Sequence, residues 1–254
     1  MILDQFRLDG RVALVTGGTQ GLGQASAIAL AEAGADVVIL GRSDPSETGQ
    51  AIARLGRRWS AINQDLITAS VSDLNASVDQ VVTEMGRLDI LVNNAGIVRR
   101  TPAVDYTEAD WDDVMQINLK AVFFLAQAAG RVMLEQGGGK IINIASLMSF
   151  QGGLFIPPYA AAKHGVAGIT QSLSNEWSKH HVNVNAIAPG YMDTANITAL
   201  RADPVRSKAI FERIPAGRWG ESDDIKGLVV YLASAASDYM HGAIIPLDGG
   251  WLGR

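Results

Sequence analysis

Residues 11–40 read RVALVTGGTQGLGQASAIALAEAGADVVIL. Arg11 to Thr16 is a short β-rich run without polar alternation, the pattern of a strand buried on both faces of a parallel sheet. Glycines follow at once, at 17, 18, 21 and 23. Gln24 to Ala33 then reads as a small-residue helix, and Gly34 stands where a helix closes on a left-handed residue. Asp36 to Leu40 is a second apolar run. Strand, glycine turn, helix and strand form a βαβ unit. Its turn lets backbone N–H groups and a helix N-terminus face a pyrophosphate with no Cβ in the way. An ordinary glycine-rich turn is the alternative, but the strand before it and the helix after it argue for dinucleotide binding. The candidate residues are Gly17, Thr19, Gln20, Gly21, Leu22 and Gly23.

The tip of the second strand selects between dinucleotides. A carboxylate there binds a ribose 2′-hydroxyl, whereas an arginine accommodates a 2′-phosphate. Here it reads Leu40-Gly41-Arg42-Ser43. Arg42 and Ser43 can both donate to a phosphate, so NADP(H) is favoured over NAD(H). Arg42 could instead stack on adenine or sit in solvent.

Outward from this unit the alternation continues. Ala51 to Leu55 is helical and Trp59 to Gln64 is a strand. It ends at Asp65 and Leu66, where Asp65 either meets the adenine or caps the next helix. A helix over 71–85 stops at Gly86. Leu88 to Val92 is a strand that runs into Asn93-Asn94-Ala95-Gly96, polar residues at a strand's carboxyl end. Residues 105–133 read as one long helix with Asn118, a poor helix-interior residue, in the middle. Lys140 to Ser146 is a strand with Ser146 at its end. Pro157 and Pro158 break the following loop, and a helix then carries Tyr159 and Lys163 to about Trp177. Val182 to Ala188 is a strand, Pro189-Gly190 turns the chain, and 191–216 is an irregular lid. A helix over 223–232 and a strand over 243–247 complete the chain. The expected architecture is α/β: one doubly wound, parallel, seven-stranded domain over 1–254.

Tyr159 and Lys163 lie at i and i+4, on one helical face. A lysine close to a phenol favours the phenolate and so makes tyrosine a usable acid/base. Alone, such a pair is weak evidence.

Composition narrows the field. A net charge of −5 argues against a nucleic-acid or anionic-membrane surface. The chain has no cysteine, which excludes disulfides, thiolate catalysis and cysteine-ligated zinc. His164, His180, His181 and His241 show no ligand spacing, so no metal is expected. The N-terminus carries no apolar run long enough for a signal peptide or a membrane span, and a cytoplasmic location is expected.

Taken together, Thr16-Gly17-x-x-x-Gly21-x-Gly23, Asn93-Asn94-Ala95-Gly96, Asn118, Ser146, Tyr159-x-x-x-Lys163 and Pro189-Gly190 resemble the short-chain dehydrogenase/reductase family, with its Rossmann-type fold, over essentially the whole chain. The resemblance implies an oxidoreductase in which Tyr159 is the general acid/base and Ser146 donates to the carbonyl oxygen. Lys163 holds the nicotinamide ribose and depresses the Tyr159 pKa, and Asn118 holds a water in a proton relay. It also implies that Asn93, Ala95, Gly96, Pro189, Gly190, Met192 and Thr194 line the cofactor, Thr194 with the backbone of Met192 holding the carboxamide. IVRR at 97–100, SLMSFQGG at 146–153, RIPAGRWG at 213–220 and the tail DGGWLGR resemble a branch acting on small hexuronate-type keto acids. That branch often uses NAD(H), against the expectation from Arg42. An acid of this kind suits arginine, which binds carboxylate bidentately. Arg99 and Arg100 are the first candidates, then Arg201, Arg206 and Arg213, with Gln151 for a hydroxyl. The rivals are a polyol dehydrogenase, a carrier-protein-dependent reductase and a catalytically silent dinucleotide sensor. Gly137 and His180 stand where the carrier-protein reductases hold arginines, and retention of Tyr159 and Lys163 counts against the sensor. Members are commonly homotetramers, and Trp251, if exposed, would favour burial at an interface.

Overall fold

The structure is a computed structural model that describes residues 1–194 and 201–254. Its elements run in the order β1 (Val12–Thr16), α1 (Gly21–Glu32), β2 (Asp36–Gly41), α2 (Ser46–Arg54), β3 (Trp59–Asn63), α3 (Val71–Met85) and β4 (Ile90–Asn93). After β4 come α4 (Glu108–Met115), a π turn (Gln116–Lys120), α5 (Ala121–Gln136), β5 (Gly139–Ile144), α6 (Pro157–Trp177) and β6 (Val182–Pro189). The remaining elements are α7 (Pro204–Phe211), α8 (Lys226–Ala233) and β7 (Ile244–Leu247). Short 3₁₀ turns join several of them.

The strands make one parallel seven-stranded sheet in the order β3-β2-β1-β4-β5-β6-β7. The direction of winding reverses between β1 and β4. That reversal opens a crevice at the strands' carboxyl ends, where ligands bind in open α/β sheets. Successive residues of β1 serve opposite layers. Val12 and Leu14 pack with Leu74, Leu125 and Met133 on the α3/α5 side. Ala13 and Val15 pack with Ala27, Leu30 and Val229 on the α1/α8 side. Both faces are covered, which is why the strands read as continuous apolar runs.

Several element boundaries differ from the sequence reading, each for a local reason. Helix α1 starts at Gly21, so the last glycines of the turn already belong to its first coil. Pro157 and Pro158 do not break the loop; they open α6, where a missing N–H costs nothing. The long helix over 105–133 is two α-helices joined by the π turn at Asn118. Part of the expected lid at 191–216, residues 195–200, lies outside the described residues; α7 occupies much of the remainder, with Asp203 accepting from the backbone of Val205 and Arg206 as its N-cap.

Candidate active site

The crevice is a cleft of about 730 Å³ that runs from β2 across the mouth of β1 to the start of α6. At its centre lies the glycine turn. Gly17 and Gly21 have φ of 64° and 54°, backbone that an L side chain rarely adopts. A Cβ on Gly23 would sit 2.1 Å from the Gly17 carbonyl oxygen, so α1 can approach β1 this closely only with glycine there. Thr19, Gln20 and Leu22 line the same wall. Peptide N–H groups, a helix N-terminus and no side-chain bulk form a cradle that fits a pyrophosphate. Among the described residues no group of metal-ligating side chains forms a metal site.

Asn94, which the sequence reading named within the Asn93-Asn94-Ala95-Gly96 run but gave no role, ties this wall together. Its Nδ2 donates to the carbonyls of Thr16 at 2.9 Å and Gly17 at 3.3 Å. Thr16 Oγ1 in turn accepts the backbone N–H groups of Asn94 and Ala95, both at 2.9 Å. Ala95 and Gly96 line the cleft, but Asn93 does not. Side chains alternate along a strand, and Asn93 points into the core, where Nδ2 donates to Asn143 Oδ1 at 2.9 Å.

At the far end Arg42, Ser43, Asp65 and Leu66 line the cleft together. Arg42 Nη1 donates to Asp65 Oδ2 at 3.0 Å. Pro189, the last residue of β6, and Gly190, Met192 and Thr194 after it line the other end.

Between these ends stand Asn118, Ser146, Tyr159 and Lys163, all on the cleft wall. Ser146 lies two residues past β5, and Tyr159 and Lys163 share a face of α6 one turn apart. Burial raises the Tyr159 pKa; a hydrogen bond from Ser146 and the charge of Arg100 pull it down. Lys163 bonds to backbone rather than to the phenol. Lys163 Nζ is buried, donates to the Ile144 carbonyl at 2.6 Å and lies 5.6 Å from the centre of the Tyr159 ring. Burial lowers its own pKa to about 8.

Asn118 explains the π turn. A π turn frees a helical carbonyl from its usual partner. Asn118 Nδ2 donates to the carbonyls of Val114 and Ile97, both at 2.9 Å. Its Oδ1 is buried with no partner among the described residues, and a Cβ on Gly96 would come within 2.4 Å of it. The residue thus anchors two backbones and keeps one acceptor uncommitted.

The candidate substrate residues divide. Arg100 lines the cleft; Arg99, its neighbour, does not. Arg99 is held by Asp110 at 3.4 Å and Asp113 at 3.2 Å on α4. Of the other arginines, Arg206 on α7 lines the cleft, close enough to Arg100 that its like charge, after desolvation, lowers the Arg100 pKa. Arg201 pairs with Asp193, and Arg213 lies 4.0 Å over the Trp251 ring. Gln151 does not line the cleft: its Oε1 accepts from Trp251 Nε1 at 3.1 Å. Trp251 is only 4% exposed, packed inside its own chain against Leu147, Met148, Ile210 and Ile214. It is therefore not the exposed aromatic that would argue for an interface. Tyr191, 4.8 Å from Trp251 ring to ring, is a further cleft residue, which the sequence reading placed only as the start of the lid. Its place directly after Pro189-Gly190 is the signal that points to the cleft.

Known proteins resemble this chain in sequence and fold. Residues 11–205 match the family model for short chain dehydrogenases. A 2-dehydro-3-deoxy-D-gluconate 5-dehydrogenase of Escherichia coli (strain K12) is 53% identical over the whole of both chains. A protein from Agrobacterium tumefaciens, solved with bound NADP, is 56% identical over 99% of this chain and all of its own, with a TM-score of 0.92. A gluconate 5-dehydrogenase from Burkholderia cenocepacia, solved with NADP and tartrate, is 40% identical over the whole of both chains, with a TM-score of 0.94. A glycine cradle at the β1/β4 reversal, a serine, tyrosine and lysine facing it, and a family match covering most of the chain lead to one conclusion: this chain belongs to the short-chain dehydrogenase family.

Proposed function

We propose that the protein interconverts a keto group and a secondary alcohol on a small hexuronate-type sugar acid, with 2-dehydro-3-deoxy-D-gluconate at C5 as the leading substrate. The observation that carries the reading is the placement of Arg100 and Arg206 along the same cleft as Ser146 and Tyr159, with Arg100 within electrostatic reach of both the acid/base phenol and Arg206. Full-length identity of 53% to a 2-dehydro-3-deoxy-D-gluconate 5-dehydrogenase supports it.

In this reading the glycine turn holds a pyrophosphate, and Arg42 and Ser43 face the adenosine ribose, with NADP(H) favoured and NAD(H) accepted. Asp65 and Leu66 border the adenine, Ala95 and Gly96 lie along the middle, and Pro189, Gly190, Met192 and Thr194 border the nicotinamide. The nicotinamide supplies or accepts the hydride. Tyr159 gives its proton to the substrate's carbonyl oxygen, and Ser146 donates a hydrogen bond to the same oxygen as charge develops. Burial keeps Tyr159 protonated at neutral pH, which suits the reductive direction. Lys163 meets the ribose hydroxyls, and the free acceptor of Asn118 holds a water behind it. Arg100 and Arg206 bind the substrate carboxylate. The segment around α7, which carries Arg206, acts as a lid. Homotetrameric assembly rests on the family alone.

Purified protein is mixed with NADP⁺ or NAD⁺ and 2-dehydro-3-deoxy-D-gluconate, and nicotinamide absorbance is followed. Turnover that disappears in Tyr159→Phe while NADPH binding persists supports the proposal. Turnover with gluconate and none with the dehydro-deoxy acid would favour the second reading, a gluconate 5-dehydrogenase, which the 40% identity to the Burkholderia cenocepacia enzyme supports.

A further inference from the structure

We propose that Asp65 is a cofactor-selectivity residue that works through Arg42: by pairing with the guanidinium 3.0 Å away it restrains the preference for a 2′-phosphate and keeps NAD(H) usable. This rests on the reading of the cleft as a nicotinamide-dinucleotide site.

The two residues come from the tips of adjacent strands. β2 and β3 pair in parallel up to Gly41 and Asn63, and Gln64 N–H still donates to the Gly41 carbonyl at 3.2 Å. Arg42 and Asp65 follow directly, both facing the cleft. The carboxylate is fixed from behind, because Asp65 Oδ1 accepts the Ile67 backbone N–H at 3.0 Å while Oδ2 takes Arg42. That backbone N–H, with Arg42, holds Asp65 below the usual carboxylate range, so it stays charged.

Among the described residues at this end of the cleft, Arg42 is the one cationic side chain; the lining around it is glycine with neutral side chains such as Thr19, Gln20, Ser43 and Gln64, and the carboxylate of Asp65. Asp44, the nearest other carboxylate in sequence, is engaged by Ser46. A 2′-phosphate approaching Arg42 therefore meets a cation already neutralised, with a fixed negative charge beside it. A 2′-hydroxyl carries no charge and pays no such cost. The guanidinium face remains available to adenine in either cofactor. The pair is part-exposed, at 63% and 34%, so solvent screens it and the bias is graded rather than absolute.

The test measures dissociation constants of NADPH and NADH by nicotinamide fluorescence for the wild type, Asp65→Asn, Arg42→Met and the double variant. NADH binding doubles as the check that each variant is folded. Asp65→Asn is expected to raise the NADH-to-NADPH ratio of dissociation constants about three- to fivefold, the scale of one exposed ion pair. Arg42→Met is expected to lower the ratio, and Asp65→Asn should lose most of its effect in that background. An unchanged or lowered ratio in Asp65→Asn overturns the proposal, as does a rise of the same size with Arg42 gone. An unchanged ratio in Arg42→Met overturns the 2′-phosphate reading of Arg42 itself, and the proposal with it.

Discussion

Lys163 spends a hydrogen bond on the Ile144 carbonyl, at 2.6 Å, and so pins α6 to the end of β5 while its ammonium stays buried. With a folded pKa of about 8 against an ordinary value of 10.5, the charged form is disfavoured in the native state. Below pH 8 both folded and unfolded chains carry the proton, and the full burial cost is present. Between pH 8 and 10.5 the unfolded chain binds more protons, so this residue makes stability rise with pH. The cost relieved is about 3 kcal/mol, at about 1.4 kcal/mol per unit. Denaturant unfolding at pH 8, 9 and 10 should show this upward contribution in the wild type, and Lys163→Met should lack it.

Arg100→Met should raise KM for the keto acid about 10- to 100-fold, the value of a charge-assisted hydrogen-bond pair. An uncharged ketone should be affected far less. Because Arg100 also helps hold the Tyr159 pKa down, the basic limb of the reductive pH–rate profile should move to higher pH in the variant. An unmoved KM would assign the carboxylate to Arg206 alone.

Trp251→Ala should cost about 3–5 kcal/mol, as expected for emptying a buried tryptophan site, and leave Gln151 without its donor. Trp251 joins the loop after Ser146 to Ile210 and Ile214, so KM should rise along with the fall in Tm. A loss of stability with unchanged KM would mean that the tail supports the fold and not the cleft.

Gly23→Ala adds a Cβ 2.1 Å from a backbone carbonyl that cannot swing aside. The expected results are a lower Tm, by at least the ~1–3 kcal/mol of an overpacked site, and loss of NADPH binding in a fluorescence titration. Ala25, two residues further into the same helix, offers the contrast: Ala25→Gly should cost only about 1 kcal/mol and retain binding.

What could be read in the sequence was what is local or periodic. The β1–turn–α1 unit lies within one contiguous stretch, and the spacing of Tyr159 and Lys163 follows from helical geometry alone. What could not be read depends on residues brought together from afar. Trp251 looked exposed because its partners, Leu147 and Gln151, lie about a hundred positions upstream. Arg99 and Arg100 are adjacent, and no spacing says which one turns to the acids of α4 and which to the cleft. Asn93 and Asn94 pose the same ambiguity, resolved only by the pleat of β4. The bond from Lys163 to a carbonyl of β5 is likewise invisible in the side-chain sequence.

The π turn at Gln116–Lys120 makes the 108–136 helix a rod with a surplus residue. An α-helix turns 100° per residue, so removing one residue from this turn would let the rod become regular and would better satisfy its own backbone. It would also rotate everything on one side of the joint by about 100° relative to the other. Either α4 would lose its ion pairs to Arg99, or α5 would turn Leu125 and Met133 out of the core. The straighter helix would thus be the poorer protein. The irregularity is the indexing mark that lets one continuous helix serve the core with one half and present Asn118 to the cleft between them.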